Sequence, residues 1–194
     1  MKKIVSGLVG LFALAGLSAC ETAIDQPQYA DLTFGHLGVI ELNVAEIKVI
    51  KAYQPSPAAP HVELEFPVSP LETAARWATD RLKATGTRGV ATVTISDASV
   101  VETALKTEDG LTGAFTTDQS ERYDGTIEMK IVTEDPSGTM AETTTVVRRS
   151  TTVPEDVSLN ERSDIWYDFT EQLMTDLDRQ LVTNIKTYLK GFTY

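Results

Sequence analysis

Apolar and polar residues alternate in several stretches of the chain, and each stretch predicts a strand. The segment VIELNVAEIKVI carries Ile40 and Leu42 on one face, whereas its later apolar residues, Ile47 and Val49, fall on the other. Because successive strand side chains point to opposite faces, this change of parity predicts a strand with a bulge near Ala45. The proline-rich QPSPAAPH that follows predicts a stiff, extended connection, since proline cannot donate to a sheet.

A short strand and a short helix are predicted next. Apolar residues alternate in VELEF, which predicts an edge-like strand, and the period then changes to that of a helix. In the motif SPLE, Ser69 suits the N-cap, proline suits the first helical position and Glu72 is placed to close a capping box. The helix that follows has a narrow face of leucine and alanine, and we expect it to stop at Gly86.

Two longer alternating stretches predict an antiparallel hairpin after another strand. GVATVTI places valine and isoleucine on one face and threonine on the other, and SDAS then predicts a turn or kink. The next strand carries Tyr123, Ile127, Met129 and Ile131 on one face. EDPSG predicts a tight reversal into the strand TMAETTTVVRRS, because proline and glycine stand where such a turn needs them.

A long amphipathic helix is predicted near the C-terminus, beginning at a second capping-box pattern formed by Ser158 and Glu161. About thirty helical residues correspond to a length of roughly 45 Å. The apolar stripe turns slowly around this helix, as expected for a helix that crosses a twisted sheet diagonally. Its members recur at spacings of three and four until Gly191: Trp166, Phe169, Leu173, Leu177, Leu181, Ile185 and Tyr188.

These elements together predict an α+β fold. We expect an antiparallel sheet of about four to six strands, with one short helix and one long C-terminal amphipathic helix packed on one face. The other face of the sheet is expected to be solvated and rich in threonine.

The N-terminal segment has a different pattern. Lys2 and Lys3 precede an apolar run of thirteen residues, which is the layout of a secretory signal. The run is shorter than the about 20 apolar residues of a membrane-spanning helix. It ends in LSAC, which resembles the lipobox of bacterial lipoproteins. The alternative is an ordinary secretory signal in which Cys20 is incidental.

The lipobox resemblance implies a lipid anchor on Cys20, where diacylglycerol and a third acyl chain such as palmitate would be attached. The domain prediction is a lipoprotein signal peptide at 1–19, a lipidated N-terminus and tether at 20–38, and a single α+β domain at 39–194. Several acyl chains make an attachment stable, since one chain alone binds only marginally. Glu21 stands where enterobacterial lipoproteins kept at the inner membrane tend to have aspartate, so we expect lipid anchoring in the outer membrane, facing the periplasm.

Charge and cysteine usage narrow the classes of function. The formal charge is -11, and it becomes -13 without Lys2 and Lys3. Phosphate binding needs clustered lysine and arginine, so this acidic chain argues against nucleic acid as a partner. Cys20 is the only cysteine, and its acylation leaves no thiol for a disulfide or a nucleophile.

The residues with catalytic or metal-binding potential stand outside any recognisable motif. Neither His36 nor His61 has one around it, so we predict exposed or structural roles for both. The stretch DQSERYDG, with Asp118, Glu121 and Asp124, suggests calcium but lacks the ligand spacing of a calcium loop, and surface charge explains it more simply. We therefore expect no catalytic, cofactor or metal site, and no enzymatic activity.

Four other side chains are candidates for binding. Trp77 and Trp166 lie on or beside apolar helix faces and are expected to be core residues rather than binding platforms. Arg148 and Arg149 end a threonine-rich strand in an acidic chain. They suit either an anionic partner or an exposed strand end that carries solubilising charge.

The order of elements from residue 39 to residue 189 resembles the LptE-like lipopolysaccharide-assembly lipoproteins and the auxiliary lipoproteins of ABC-type lipid transporters. The resemblance rests on the helix LETAARWATDRLKATG, the strand pair around RYDGTIEMKIVTEDPSGT and the closing amphipathic helix. It implies an accessory or assembly role beside an outer-membrane or lipid-transport complex. The alternatives are a periplasmic carrier for an acyl chain or other apolar ligand, and an enzyme acting on envelope material.

Overall fold

The computed structural model describes residues 28–106 and 119–193. The predicted signal peptide at 1–19, Cys20 and Asp118 lie outside these ranges. In chain order the elements are β1 (Ile40–Leu42), β2 (Glu46–Lys51), α1 (Pro70–Arg81), β3 (Leu82–Ala84), β4 (Val90–Ala104), β5 (Gln119–Glu134), β6 (Met140–Pro154) and α2 (Leu159–Tyr188). The α+β class, with one short helix and one long C-terminal helix, is confirmed.

The main sheet has four strands in the order β2-β4-β5-β6, and β1 pairs with β3 in a separate two-stranded sheet. β4, β5 and β6 are antiparallel, as predicted, but β2 runs parallel to β4, and β1 runs parallel to β3. The reason is α1, which lies between β2 and β4 in the chain and returns it to the same end of the sheet, as a crossover helix does. The sheet is therefore mixed rather than purely antiparallel.

The parity change predicted as a bulge near Ala45 is a break between strands. β1 ends at Leu42 and β2 begins at Glu46, and the two strands belong to different sheets. A bulge does occur in β4, where the pairing with β5 shifts between Ile95 and Asp97. That bulge accounts for the interruption at SDAS, since β4 continues through it to Ala104.

One predicted strand and one predicted helix end are wrong. VELEF is not a strand: Val62 and Phe66 are buried, and Leu64 is 59% exposed in a stretch of turns. α1 stops at Arg81 rather than at Gly86, because the chain enters β3 directly. Gly86 does not end the helix but lies against another backbone segment, since a Cβ there would lie 2.6 Å from the backbone of Asn43. The glycine permits the close approach of these two backbone segments.

The core lies between the two helices and one face of the main sheet. α1 packs mainly on β4 and β2, and α2 packs mainly on β6. Trp77 and Trp166 are both buried, which confirms them as core residues. Trp166 stacks on Phe66, with ring centroids 4.8 Å apart, and its neighbours Tyr123 and Phe169 complete an aromatic cluster. The predicted apolar stripe of α2 is buried except for Tyr188, which is exposed.

The opposite face of the sheet carries threonine and charged residues, as predicted. Across it, Thr94, Lys130 and Thr144 are partners in register on β4, β5 and β6. In the described ranges, neither helix is apolar enough over a sufficient length to cross a membrane.

The two ends of the described domain meet. Leu42 forms an isolated bridge with Thr193, and the amide of Asn43 donates to the carbonyl of Phe192 at 2.8 Å. β1 is therefore held by β3 on one side and by the C-terminal segment on the other.

Candidate functional site

Residues 28–38, the described part of the predicted tether, pack against both helices. Phe34 is buried, and its amide donates to Oδ2 of Asp80 on α1 at 2.9 Å. Arg76, also on α1, forms an ion pair with Asp31 at 2.6 Å. This part of the segment is packed as an ordered part of the domain, because its aromatic and backbone groups have fixed partners.

Arg81 at the end of α1 is the centre of this contact. The residue is only 5% exposed, and its Nη1 donates to the carbonyls of Leu37, at 2.6 Å, and of Gly38. Its Nε donates to Oδ1 of Asp178 on α2 at 2.9 Å, and the same oxygen accepts from Nε1 of Trp77 at 2.8 Å. A buried guanidinium needs a counter-charge and filled donors, and this arrangement supplies both. Arg81 thus joins the N-terminal segment to both helices.

Tyr29 fixes the start of the segment to α2. Its hydroxyl donates to Oδ1 of Asp164 at 2.7 Å, and its ring stacks on Tyr167 with centroids 5.2 Å apart. Partial burial and then the hydrogen bond to Asp164 raise the pKa of Tyr29 to about 12. The chain is consequently held to the domain from Tyr29 onward.

A small cavity of about 170 Å³ lies between this segment and α2. Its apolar lining includes Leu32, Phe34, Leu37 and Met174, and His36 stands at its border in an exposed position. Ligand sites for small molecules usually measure about 300–1,000 Å³. The volume is therefore small for an acyl chain, and it gives no support to the carrier hypothesis.

His61 lies beside a buried carboxylate, Glu63, which is 3% exposed. Oε1 of Glu63 accepts from the Tyr53 hydroxyl at 2.6 Å and from the Ser56 amide at 3.1 Å. Oε2 accepts from the Val100 amide at 3.2 Å and lies 3.5 Å from Nδ1 of His61. This cluster ties the proline-rich connection to β4.

The surroundings of Glu63 act on two pKa values. Burial raises the pKa of Glu63, but the hydrogen bonds from Tyr53, Ser56 and Val100 outweigh it and leave the pKa below its usual value. Burial and the bond to Glu63 raise the pKa of Tyr53. Within the described ranges no hydrogen bond joins His61 to a serine hydroxyl, so a Ser-His pair for nucleophilic catalysis is not formed there.

The candidate calcium ligands do not converge. Glu121 and Asp124 point to opposite faces of β5: Glu121 binds Arg162 at 2.9 Å beside the core, and Asp124 binds Arg122 at 2.7 Å on the solvated face. Asp118 lies outside the described residues. In the part of the chain that the structure describes, no group of three potential metal ligands occurs.

Arg148 and Arg149 also point in opposite directions from β6. Nη1 of Arg149 donates to Oδ2 of Asp176 at 2.7 Å, and its Nη2 donates to Oε1 of Gln172, so this side chain pins β6 to α2. Arg148 is exposed and has no ion-pair or hydrogen-bond partner among residues 28–106 and 119–193. Only Arg148 of the two is available to a partner.

Sequence reasoning missed the two polar centres of the domain, Arg81 and Glu63. Arg81 falls one helical turn beyond Trp77 on α1, and such a charge on a buried face could have indicated a paired guanidinium. Glu63 sits between apolar positions in VELEF and resembles the exposed glutamate two residues later. No local signal distinguishes the two, because the partners of Glu63 come from elsewhere in the chain.

Comparisons with known proteins give limited similarity. No family model matches the chain, and no curated protein matches it. Among solved structures, the rare lipoprotein B from Shewanella oneidensis is similar at 13% identity and a TM-score of 0.39, covering 73% of this chain and 95% of that one. A minor lipoprotein from Acinetobacter baumannii is similar at 12% identity and a TM-score of 0.37, covering 77% and 94%. The chain thus has structural similarity to two bacterial lipoproteins, at TM-scores too low to carry an argument about its function.

Proposed function

We propose that this protein is a membrane-anchored bacterial envelope lipoprotein, facing the periplasm from the outer membrane. One observation carries the proposal: two lysines, a thirteen-residue apolar run and LSAC ending at Cys20 stand in the order that lipoprotein signals use. An anchor of several acyl chains holds a domain at a membrane without a spanning helix.

The attachment of Tyr29 to α2 supports an anchoring role for the segment before it. Tyr29 lies nine positions after Cys20, and nine extended residue steps reach at most about 30 Å. A lipid on Cys20 would therefore keep the start of α2 within that distance of the membrane surface. The domain would stay close to partners in the same membrane.

We further propose that the protein acts without catalysis, as an accessory or assembly partner of an outer-membrane or lipid-transport complex. The polar centres at Arg81 and Glu63 favour this role because their hydrogen-bonding groups are used to join parts of the domain. Such saturated centres stabilise a fold and leave few groups for a substrate. The small cavity between residues 28–38 and α2 gives the carrier hypothesis no support.

Replacing the cysteine tests the anchor. We expect Cys20→Ser to abolish incorporation of labelled palmitate and to move the protein from the membrane pellet to the soluble fraction after a salt wash. Ser18→Ala is the matched control, since it keeps a small residue before the cysteine and should remain anchored. If Cys20→Ser still pellets with membranes and still takes up label, the anchor proposal is wrong.

Purification of the lipidated protein in mild detergent tests the accessory role. We expect one envelope protein to copurify at a fixed ratio and to be absent when a variant lacking the anchor is purified from the soluble fraction. Native mass spectrometry that finds a bound lipid and no protein would instead establish the carrier.

A further inference from the structure

β6 is a long edge strand, and no strand among residues 28–106 and 119–193 pairs with its outer side. It is the last strand of the main sheet, and it pairs in unbroken register with β5 from Met140 to Val153. The amide of Asp135 donates to the carbonyl of Thr139. This bond sets the phase of the ladder: odd-numbered residues of β6 bond to β5, and even-numbered residues direct their backbone groups outward.

Two of the usual protections of an edge, proline and bulges, are missing along most of this strand. Proline occurs only at its last position, Pro154, and no bulge interrupts the pairing with β5 between Met140 and Val153. Between the edge of β6 and α2 lies an open groove of about 550 Å³, lined by Val147 of β6 and Asn184 of α2 among others. An edge of this kind is a template for another strand.

The outward residues of β6 are self-complementary in charge. Glu142 and Arg148 both lie on the solvated face, six positions apart, and Glu142 already contacts Lys130 at 2.8 Å. Arg148 lacks a counter-charge within the described part of the chain. Two copies of β6 in antiparallel pairing would bring these residues together if the register is centred on Thr145.

We propose that two copies of this chain associate through β6, joining their four-stranded sheets into one continuous sheet of eight strands. With the two-fold axis at Thr145, Arg148 of each copy lies opposite Glu142 of the other, and Thr144 lies opposite Val146. A register centred on Arg148 would place arginine against arginine, so charge selects the first register. The partner at this edge is a second copy of the chain, because Glu142 of a second β6 provides the negative charge that Arg148 lacks.

Long-range repulsion between two acidic chains opposes this association. The formal charge is -11 per chain, or -13 without Lys2 and Lys3, but salt at about 0.15 M screens charges separated by more than about 8 Å. The Arg148–Glu142 contacts and the backbone ladder act at shorter distances and are screened less. We therefore expect the dimer to form at physiological ionic strength. Its formation does not depend on acylation of Cys20.

A charge reversal with rescue tests the register. The full-length chain is purified from membranes in mild detergent, and its mass is followed by native mass spectrometry over a dilution series. We expect the unmodified chain to be dimeric at micromolar concentration. Arg148→Glu places glutamate opposite glutamate twice, and we expect the dissociation constant to rise at least tenfold. The double variant Arg148→Glu, Glu142→Arg restores opposite charges and should restore the dimer.

Arg122→Glu is the matched control, because it makes the same charge change on the same face of β5, away from the edge. It should leave the dimer intact, and thermal melting should show all variants folded. The proposal is overturned by a monomer at every concentration, by a dimer indifferent to Arg148→Glu, or by a β6 edge occupied by a different protein.

Discussion

Gly125 shows how closely α2 approaches the sheet at one residue. A Cβ at this position would lie 2.8 Å from the ring of Phe169 and 3.2 Å from Leu173. Phe169 is packed among the other aromatic side chains of the core and has little freedom to move. The lack of a side chain at Gly125 thus allows α2 to pack as closely on β5 as it does.

We therefore predict that Gly125→Ala lowers the free energy of unfolding by about 1–3 kcal/mol, the usual cost of overpacking a core. Urea denaturation followed by circular dichroism measures the change. Gly35→Ala is the control, since a Cβ there has no atom within 4 Å. Equal stability of the two variants would contradict the packing argument.

Glu63 links stability to pH. Burial raises the folded pKa of Glu63, but the hydrogen bonds from Tyr53, Ser56 and Val100 outweigh burial and leave this pKa below the unfolded value of about 4.3. A lowered pKa contributes stability above the unfolded value, and this contribution is lost as the pH falls through the folded pKa. The cluster therefore stabilises the domain at neutral pH and weakens in acid.

For Glu63→Gln we predict a loss of about 1–3 kcal/mol at pH 7, since a buried donor loses its acceptor. The difference from the unmodified protein should narrow as the pH falls below the unfolded pKa of about 4.3 and towards the lower folded pKa. Thermal melts between pH 3 and about pH 7 test this. Glu65→Gln, at an exposed neighbouring position, is expected to change little at any pH. A difference that widened in acid would refute the assignment.

At the scale of elements, the start of α2 depends on a reciprocal cap. Oγ of Ser158 accepts from the Glu161 amide at 3.3 Å, and the Ser158 amide donates to Oε2 of Glu161 at 2.9 Å. We predict that Ser158→Ala costs about 1 kcal/mol, within the range of N-cap removals. Chemical denaturation checks the value. Ser163→Ala, inside the helix, serves as control and should be neutral or slightly stabilising, because alanine favours helix more than serine.

Elements defined by local chemistry were predictable from the sequence. Ser69 and Ser158 mark true helix starts, and the reversal at EDPSG is confirmed by a turn in which Gly138 has a φ of 87°. Elements that depend on distant partners were not. VELEF alternates as a strand would, yet Val62 and Phe66 are buried by contacts from elsewhere in the fold. Alternation of apolar and polar residues indicates which positions are buried, but it does not indicate which segment packs against them.

For the molecule as a whole, the sequence predicted the class of fold but not its sheet order. The parallel pairing of β2 with β4 depends on where α1 packs, and no short pattern encodes that. Candidate functional residues likewise differ in how far the sequence predicts them. The proposed lipidation of Cys20 rests on a local motif, whereas Arg81 draws its partners from residues 37, 38 and 178. Polar centres built from distant segments need the fold before they can be found.

The bridge between Leu42 and Thr193 also has a consequence for how the protein folds. Its partners lie roughly 150 positions apart in the chain, and such distant contacts close late because loop closure costs entropy before it is rewarded. While the chain is being synthesised, β1 lacks one of its two neighbours until residue 193 has emerged. Two-sided pairing of β1 is therefore a late step of folding, because it waits for the segment that ends at residue 193.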